Sequence, residues 1–160
     1  MKITNDTFSL EKAIEFRKRA RKQKKTFVLT NGCFDLIHAG HIQSLEECSQ
    51  LGDYLWVALN SDKSVRQLKG KGRPIQDEID RAYILNSIKF VSGVIIFNDT
   101  KLIHEINCLR PDIYAKSADY NLETIDTGEK QALKNAGSQI KFVPFVSGKS
   151  TSSLIKTFNS

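Results

Sequence analysis

Residues 26–41 read TFVLTNGCFDLIHAGH, and this stretch decides the fold. Thr26–Asn31 is a short apolar β run. Gly32-Cys33-Phe34-Asp35 follows, and then His38-Ala39-Gly40-His41 leads into a segment with helical spacing. Ala39, Ile42, Leu45 and Cys48 recur every third position up to Leu51, and Gly52 stops the run. A strand, a glycine-bearing turn and a helix in this order make the first half of a β-α-β unit. Tyr54–Asn60 (YLWVALN) supplies the second strand, apolar almost throughout, as expected for burial on both faces.

The alternation continues in both directions. Upstream, Ser9 caps a helix through Leu10, Ala13, Ile14 and Phe16 to about Lys24. Downstream come a short helix Asp62–Leu68, a polar loop Lys69–Pro74 and a helix Asp77–Phe90 with Ile79, Ala82, Tyr83, Leu85 and Ile88 inward. Strand Gly93–Phe97, helix Thr100–Leu109, strand Asp112–Lys116, helix Gly128–Ala136, strand Gln139–Phe145 and helix Ser150–Phe158 complete the series. The pattern predicts an α/β fold: one domain over residues 1–160, with a parallel sheet of about five strands and helices on both faces. Ligands then belong just beyond the carboxyl ends of the strands, where strand order reverses.

The chain has 160 residues, 40% hydrophobic and 26% charged, enough for one core. No stretch approaches the ~20 apolar residues of a membrane span, and no signal-peptide pattern opens the chain. Cys33, Cys48 and Cys108 are too few and too scattered for a disulfide framework or a zinc site, so free thiols in the cytoplasm are expected. The net charge of +6 lies wholly in residues 1–25, which hold nine Lys/Arg against three acids; the remaining 135 residues are neutral in sum. A solvated helix face explains this better than a nucleic-acid or membrane contact. Trp56 reads as core, His104 as a surface residue, and Cys48 and Cys108 as core.

The chemistry gathers after the first strand. Gly32 lets backbone approach a ligand, and the bare N–H groups at the start of the next helix form an anion site. Gly40 leaves room for a phosphate between His38 and His41, whose imidazoles can donate to phosphate oxygens. Asp35 can orient an imidazole or bind loop amides. The segment is neither a P-loop nor a dinucleotide fingerprint. Lys69, Lys71 and Arg73 on the glycine-rich loop make a cationic arm suited to phosphates that gather charge during transfer. Ser150 can cap the last helix, and the hydroxyls of Ser150 and Thr151 with the exposed N–H groups can hold a second phosphate.

Gly-Cys-Phe-Asp-x-x-His-x-Gly-His at 32–41 resembles the cytidylyltransferase-like nucleotidyltransferases, a Rossmann-like group with a His-x-Gly-His element. Asn60-Ser61-Asp62 and Leu68-Lys69-Gly70-Lys71-Gly72-Arg73-Pro74 resemble the corresponding segments of the heptose 1-phosphate adenylyltransferases. So do Lys116-Ser117-Ala118-Asp119-Tyr120 and Gly148-Lys149-Ser150-Thr151. Two features depart from the group. Ser117 and Ala118 replace the usual two glycines and narrow the space for base and sugar. Phe145, not the arginine common in glycerol-3-phosphate cytidylyltransferases, follows Pro144.

The resemblance implies transfer of AMP from ATP to D-glycero-D-manno-heptose 1-phosphate, giving ADP-heptose and pyrophosphate. The alternative is a cytidylyltransferase acting on glycerol 3-phosphate or another phosphorylated alcohol; a binding module that has lost catalysis is a third reading. On the first reading His38, His41 and Lys69 are catalytic. Gly32, Cys33, Phe34, His38, Gly40, His41, Arg73, Lys116, Asp119, Ser150 and Thr151 bind nucleotide, and Asp35, Lys69, Arg81 and Tyr120 bind substrate. Mg2+ is expected on the nucleotide phosphates, with no metal site on the protein. The implied partners are ATP or another nucleoside triphosphate, the phosphorylated acceptor, a second copy in a homodimer and a separate sugar kinase, with no nucleic acid and no membrane.

Overall fold

The computed structural model describes residues 8–117 and 123–144. In chain order the elements are α1 (Leu10–Lys22), β1 (Phe27–Gly32), α2 (Ala39–Ser49), β2 (Tyr54–Asn60), α3 (Asp62–Lys69) and α4 (Glu78–Asn86). They continue with β3 (Gly93–Phe97), α5 (Ile103–Leu109), β4 (Ile113–Ser117), α6 (Thr127–Ala136) and β5 (Gln139–Val143). The expected helix Ser150–Phe158 lies outside the described residues.

The five strands form one sheet in the order β3-β2-β1-β4-β5, parallel at every ladder. From β1 the chain runs outward through β2 to β3, then returns to the other side of β1 and runs outward again through β4 to β5. The order therefore reverses between β1 and β4, and the carboxyl ends of these two strands flank the crevice where ligands bind in such sheets.

Alternation along the strands builds two cores. Phe27, Leu29, Trp56, Ala58, Ile95 and Phe97 face one side, packed with Ala13 of α1, Ile106 and Leu109 of α5, and Ala132 and Leu133 of α6. Val28, Leu55, Val57, Leu59 and Val94 face the other, packed with Leu45 and Cys48 of α2 and Ala82 and Leu85 of α4. Trp56 stacks on Phe27 with ring centroids 6.0 Å apart. Among the described residues no helix is long and apolar enough to cross a membrane.

The basic N-terminal helix is pinned by one of its own charges. Arg17 is 5% exposed, and its Nη1 and Nη2 donate to the Asp112 carboxylate at 2.9 and 2.7 Å. The same carboxylate accepts the Phe27 N–H at 2.8 Å, so α1, β1 and the lead into β4 meet on it. Lys18, Arg19, Arg21, Lys22, Lys24 and Lys25 are exposed, as a solvated face requires.

Four expectations need correction. Tyr83 is 52% exposed rather than inward. The buried arc of α4 runs through Arg81, Ala82 and Leu85, and at about 100° per residue Tyr83 lies off its edge. That helix also ends at Asn86, where the Ser87 hydroxyl bonds back to the Tyr83 carbonyl. Helix α5 starts at Ile103, not Thr100, because Glu129 of α6 reaches across to accept the Leu102 N–H at 2.8 Å and sets the first turn. Cys108 is half-buried, its Sγ 3.7 Å from Nε2 of the exposed His104, whereas Cys48 is core.

Candidate active site

The loop between β1 and α2 is shaped by its small residues and by one unusual backbone. A Cβ on Gly32 would stand 2.9 Å from the Phe34 ring, so glycine is what lets that ring fold back on the loop. Phe34 itself has a positive φ of 43°, rare for a bulky side chain and the kind of strain that gathers at functional sites. His38 is extended (φ −139°, ψ 169°) and caps α2, its Nδ1 accepting the His41 N–H at 3.4 Å. This brings the two imidazoles face to face, centroids 3.8 Å apart and planes 23° apart. The Phe34 ring lies 5.2 Å from that of His41. Gly40 sits in the same first turn of α2. The pair thus stands at the tip of an 11-residue helix, where backbone N–H groups carry partial positive charge.

Burial, reinforced by the neighbouring His38, pushes His41 down to about 4, against the pull of its hydrogen bond with the Leu36 backbone. At neutral pH His41 is therefore a neutral imidazole. Its Nδ1 is buried without a hydrogen-bond partner, a cost that a polar ligand would relieve. Stability carries the signature. Unfolded, the group protonates near 6.5; folded, it resists until about 4. The unfolded state binds the extra proton, so stability falls as pH drops from 6.5 towards 4 and this contribution levels off below. In His41→Gln that part of the slope disappears, which urea titrations at pH 7, 6, 5 and 4.5 measure.

Asp35 and Arg81 turn inward. Asp35 is 2% exposed; its carboxylate pairs with Arg73 Nε and accepts the N–H groups of Ile75 at 2.7 Å and Gln76 at 3.2 Å. It binds loop amides, one of the two roles expected, and the arm rather than a substrate. Arg81 is fully buried. Its Nη1 donates to the carbonyls of Cys33 at 2.6 Å and Asn60 at 2.9 Å, its Nε to that of Gln76 at 3.0 Å, and its Nη2 to Asp62 at 2.7 Å. A guanidinium so spent cannot reach a substrate phosphate, and its carboxylate partner is Asp62. Asp77 caps α4.

The arm between α3 and α4 is exposed from Lys69 to Gly72, with Gly70 and Gly72 at φ 89° and 84°, a left-handed backbone that glycine adopts without strain. Lys69 and Arg73 come close enough to Cys33 for their charges, with that of Arg81, to oppose the burial that raises its thiol. Cys33 Sγ lies 3.9 Å from Asn60 Oδ1. Lys116 is buried at the end of β4 with Nζ 5.6 Å from the Tyr114 ring centre, and the Tyr114 hydroxyl donates to Asn31 Oδ1 at 2.9 Å, joining β4 to β1. Ser117 Oγ is buried without a hydrogen-bond partner. Asp119, Tyr120, Ser150 and Thr151 lie outside the described residues.

The motif reading assigned no role to Asn60, Ser64 and Glu78. Asn60 Nδ2 donates to Ser64 Oγ at 2.9 Å, that hydroxyl donates to the Asp99 carbonyl at 2.7 Å, and Glu78 accepts the Asp62 N–H at 2.7 Å. The Asn60-Ser61-Asp62 triplet was the available signal: an asparagine ending a buried strand before a serine cap needs partners for its amide.

A parallel sheet with a histidine pair on a helix tip at its switch point defines an α/β domain with that pair where such sheets bind ligands. The chain belongs to the cytidylyltransferase-like family, whose pattern matches residues 29–157. It is 43% identical over 137 residues to the bifunctional protein HldE of Campylobacter fetus subsp. fetus, covering 86% of this chain and 29% of that protein. It is also 43% identical over 143 residues to the bifunctional protein HldE of Koribacter versatilis, covering 89% and 29%. The chain thus spans less than a third of the length of these relatives. The structure resembles the lipopolysaccharide core biosynthesis protein from Thermoplasma volcanium, with a TM-score of 0.62, 30% identity, and coverage of 76% of this chain and 97% of that one.

Proposed function

We propose that this protein is a nucleotidyltransferase that moves AMP from ATP to a sugar 1-phosphate, D-glycero-D-manno-heptose 1-phosphate, giving ADP-heptose and pyrophosphate. The observation that carries the reading is the stacked His38–His41 pair on the tip of α2 at the β1/β4 switch point, with the buried His41 Nδ1 lacking a partner. The family match over residues 29–157 and the relatives named HldE support it.

In the reaction, an oxygen of the acceptor phosphate forms a bond to the α-phosphorus of ATP while the bond from that phosphorus to the bridging oxygen breaks. Pyrophosphate leaves with the electron pair. The attacking phosphate is already ionised, so the protein need not remove a proton. What remains is positioning and charge stabilisation. His38 and His41 donate hydrogen bonds to oxygens of the reacting phosphates. His41 does so as a neutral donor whose single N–H turns from the Leu36 backbone to the phosphate, and no proton is released from it on binding. Lys69 and Arg73 bring positive charge from the arm. The N–H groups of the 32–34 loop line the nucleotide, and Lys116 lies at the end of the crevice formed by β4.

The chain offers imidazole, ammonium and guanidinium groups here. Among the described residues no three His, Cys, Asp or Glu side chains converge on one point. A hard divalent ion takes oxygen ligands and keeps several waters, so this donor set fits Mg2+ arriving on the triphosphate oxygens. When bound it neutralises phosphate charge. The reading extends to a homodimer, checked by molar mass in solution, to a cytoplasmic setting, where ATP is available, and to a kinase-type reaction that supplies the acceptor.

Pyrophosphate release is the test, measured for four nucleoside triphosphates against heptose 1-phosphate, glycerol 3-phosphate and other phosphorylated alcohols. Release with ATP and heptose 1-phosphate, at least tenfold above every other pair, is expected. Preference for CTP and glycerol 3-phosphate would replace the adenylyl reading with the cytidylyl one. No release with any pair would end the enzyme reading.

A further inference from the structure

We infer that Arg81 is a positioning residue whose buried guanidinium fixes the Cys33–Phe34 peptide so that the Phe34 N–H becomes a donor to the triphosphate. The inference rests on the nucleotidyl-transfer reading above and adds a residue that touches no substrate.

Three observations lead to it. First, Arg81 Nη1 holds the Cys33 carbonyl oxygen at 2.6 Å from a side chain with no exposed surface. In a trans peptide the N–H of the next residue points opposite to that carbonyl. Anchoring the Cys33 oxygen to the interior therefore turns the Phe34 N–H away from the guanidinium. Second, that N–H donates to no acceptor among the described residues. By contrast, the Ser61 N–H, which follows the other carbonyl held by Nη1, that of Asn60, donates to the Phe97 carbonyl at 2.9 Å. Third, Phe34 has a φ of 43°, and its ring contacts His41. Successive backbone N–H groups around such a residue form an anion-binding concavity. The strain of that conformation needs a fixed neighbour, and Arg81 supplies it.

The other bonds of Arg81 explain why arginine is needed. One fork reaches the end of β1 (Cys33), the end of β2 (Asn60), the entry to α3 (Asp62) and the return of the arm (Gln76). A lysine carries the charge as a point and cannot hold this planar set of partners. Asp35 takes the Gln76 N–H while Arg81 takes the Gln76 carbonyl, so the two buried charges grip the same peptide neighbourhood from both sides.

The test reads the Phe34 amide directly by 15N–1H NMR of the whole chain, titrated with ATP or a non-hydrolysable ATP analogue. In the wild type the Phe34 amide resonance and the His41 ring resonances both shift on binding. In Arg81→Lys the Phe34 shift shrinks while the His41 shift persists. Turnover falls by about tenfold, less than the ~100-fold or more of removing a preorganised donor outright because the Phe34 N–H is loosened rather than lost, and KM for the acceptor stays within about threefold. Guanidinium added to Arg81→Ala restores part of the turnover. A Phe34 amide that ignores the nucleotide in the wild type, while the His41 ring responds, overturns the inference and leaves the enzyme reading intact. Silence of both groups, with no pyrophosphate released, sinks the enzyme reading itself. If the Arg81 variants fail to fold, the wild-type titration still decides.

Discussion

Replacing His41 with alanine lowers turnover by about 100-fold or more, the scale of removing one preorganised donor from a developing negative charge. His41 is the cleaner of the two histidines to remove. His38 caps α2 through its Nδ1, so His38→Ala also withdraws a cap, worth roughly 1 kcal/mol, and mixes folding with chemistry. His41 makes no such cap, and its Nδ1 is a buried atom without a partner, so its loss removes a burden from the folded state. The thermal transition of His41→Ala is expected to match or exceed that of the wild type below pH 6, where burial of a neutral imidazole costs most. Turnover is read by pyrophosphate release at saturating ATP and acceptor, and stability by unfolding of the same sample. A variant that folds and turns over near the wild-type rate would take the imidazole out of the mechanism.

The sheet and the histidine pair were legible because each rests on local chemistry. YLWVALN and GVIIF are apolar enough to read as buried strands, and both have the expected bounds, Tyr54–Asn60 and Gly93–Phe97. His38 and His41 are close in sequence, so a single helical turn brings them together whatever the rest of the chain does. The roles of Asp35 and Arg81 were not legible in the same way. The partners of Asp35 lie 38 to 41 residues away and those of Arg81 up to 48, across elements whose relative placement no local pattern encodes. A charged residue in a motif reads as a ligand for substrate. Only burial reveals that Arg81 spends its donors on three main-chain carbonyls and Asp62. The start of α5 escaped for the same reason, since the residue that sets it, Glu129, sits on another helix.

Asp35 carries the second large effect. Its carboxylate is 2% exposed and holds the arm at three points: Arg73, the Ile75 N–H and the Gln76 N–H. Asp35→Ala leaves Arg73 without its partner and two amides without an acceptor. Removing one member of a buried pair costs about 3–5 kcal/mol, and the lower end applies here because Arg73 is 18% exposed on its side chain and can turn to water. The functional loss is larger than the loss of stability alone implies. Lys69 and Arg73 both ride on the arm, and cations displaced by an ångström from the phosphates lose about 100-fold in rate. Asp35→Asn separates the two contributions. Its amide oxygen still accepts the Ile75 and Gln76 N–H groups, but the charge that holds Arg73 is gone. The expected order of turnover is therefore wild type, then Asn, then Ala, and added salt narrows the gap between wild type and Asn because it screens the charge pair. Equal turnover in all three proteins would mean that the arm finds its place without Asp35, and that the phosphates themselves, once bound, draw Lys69 and Arg73 down.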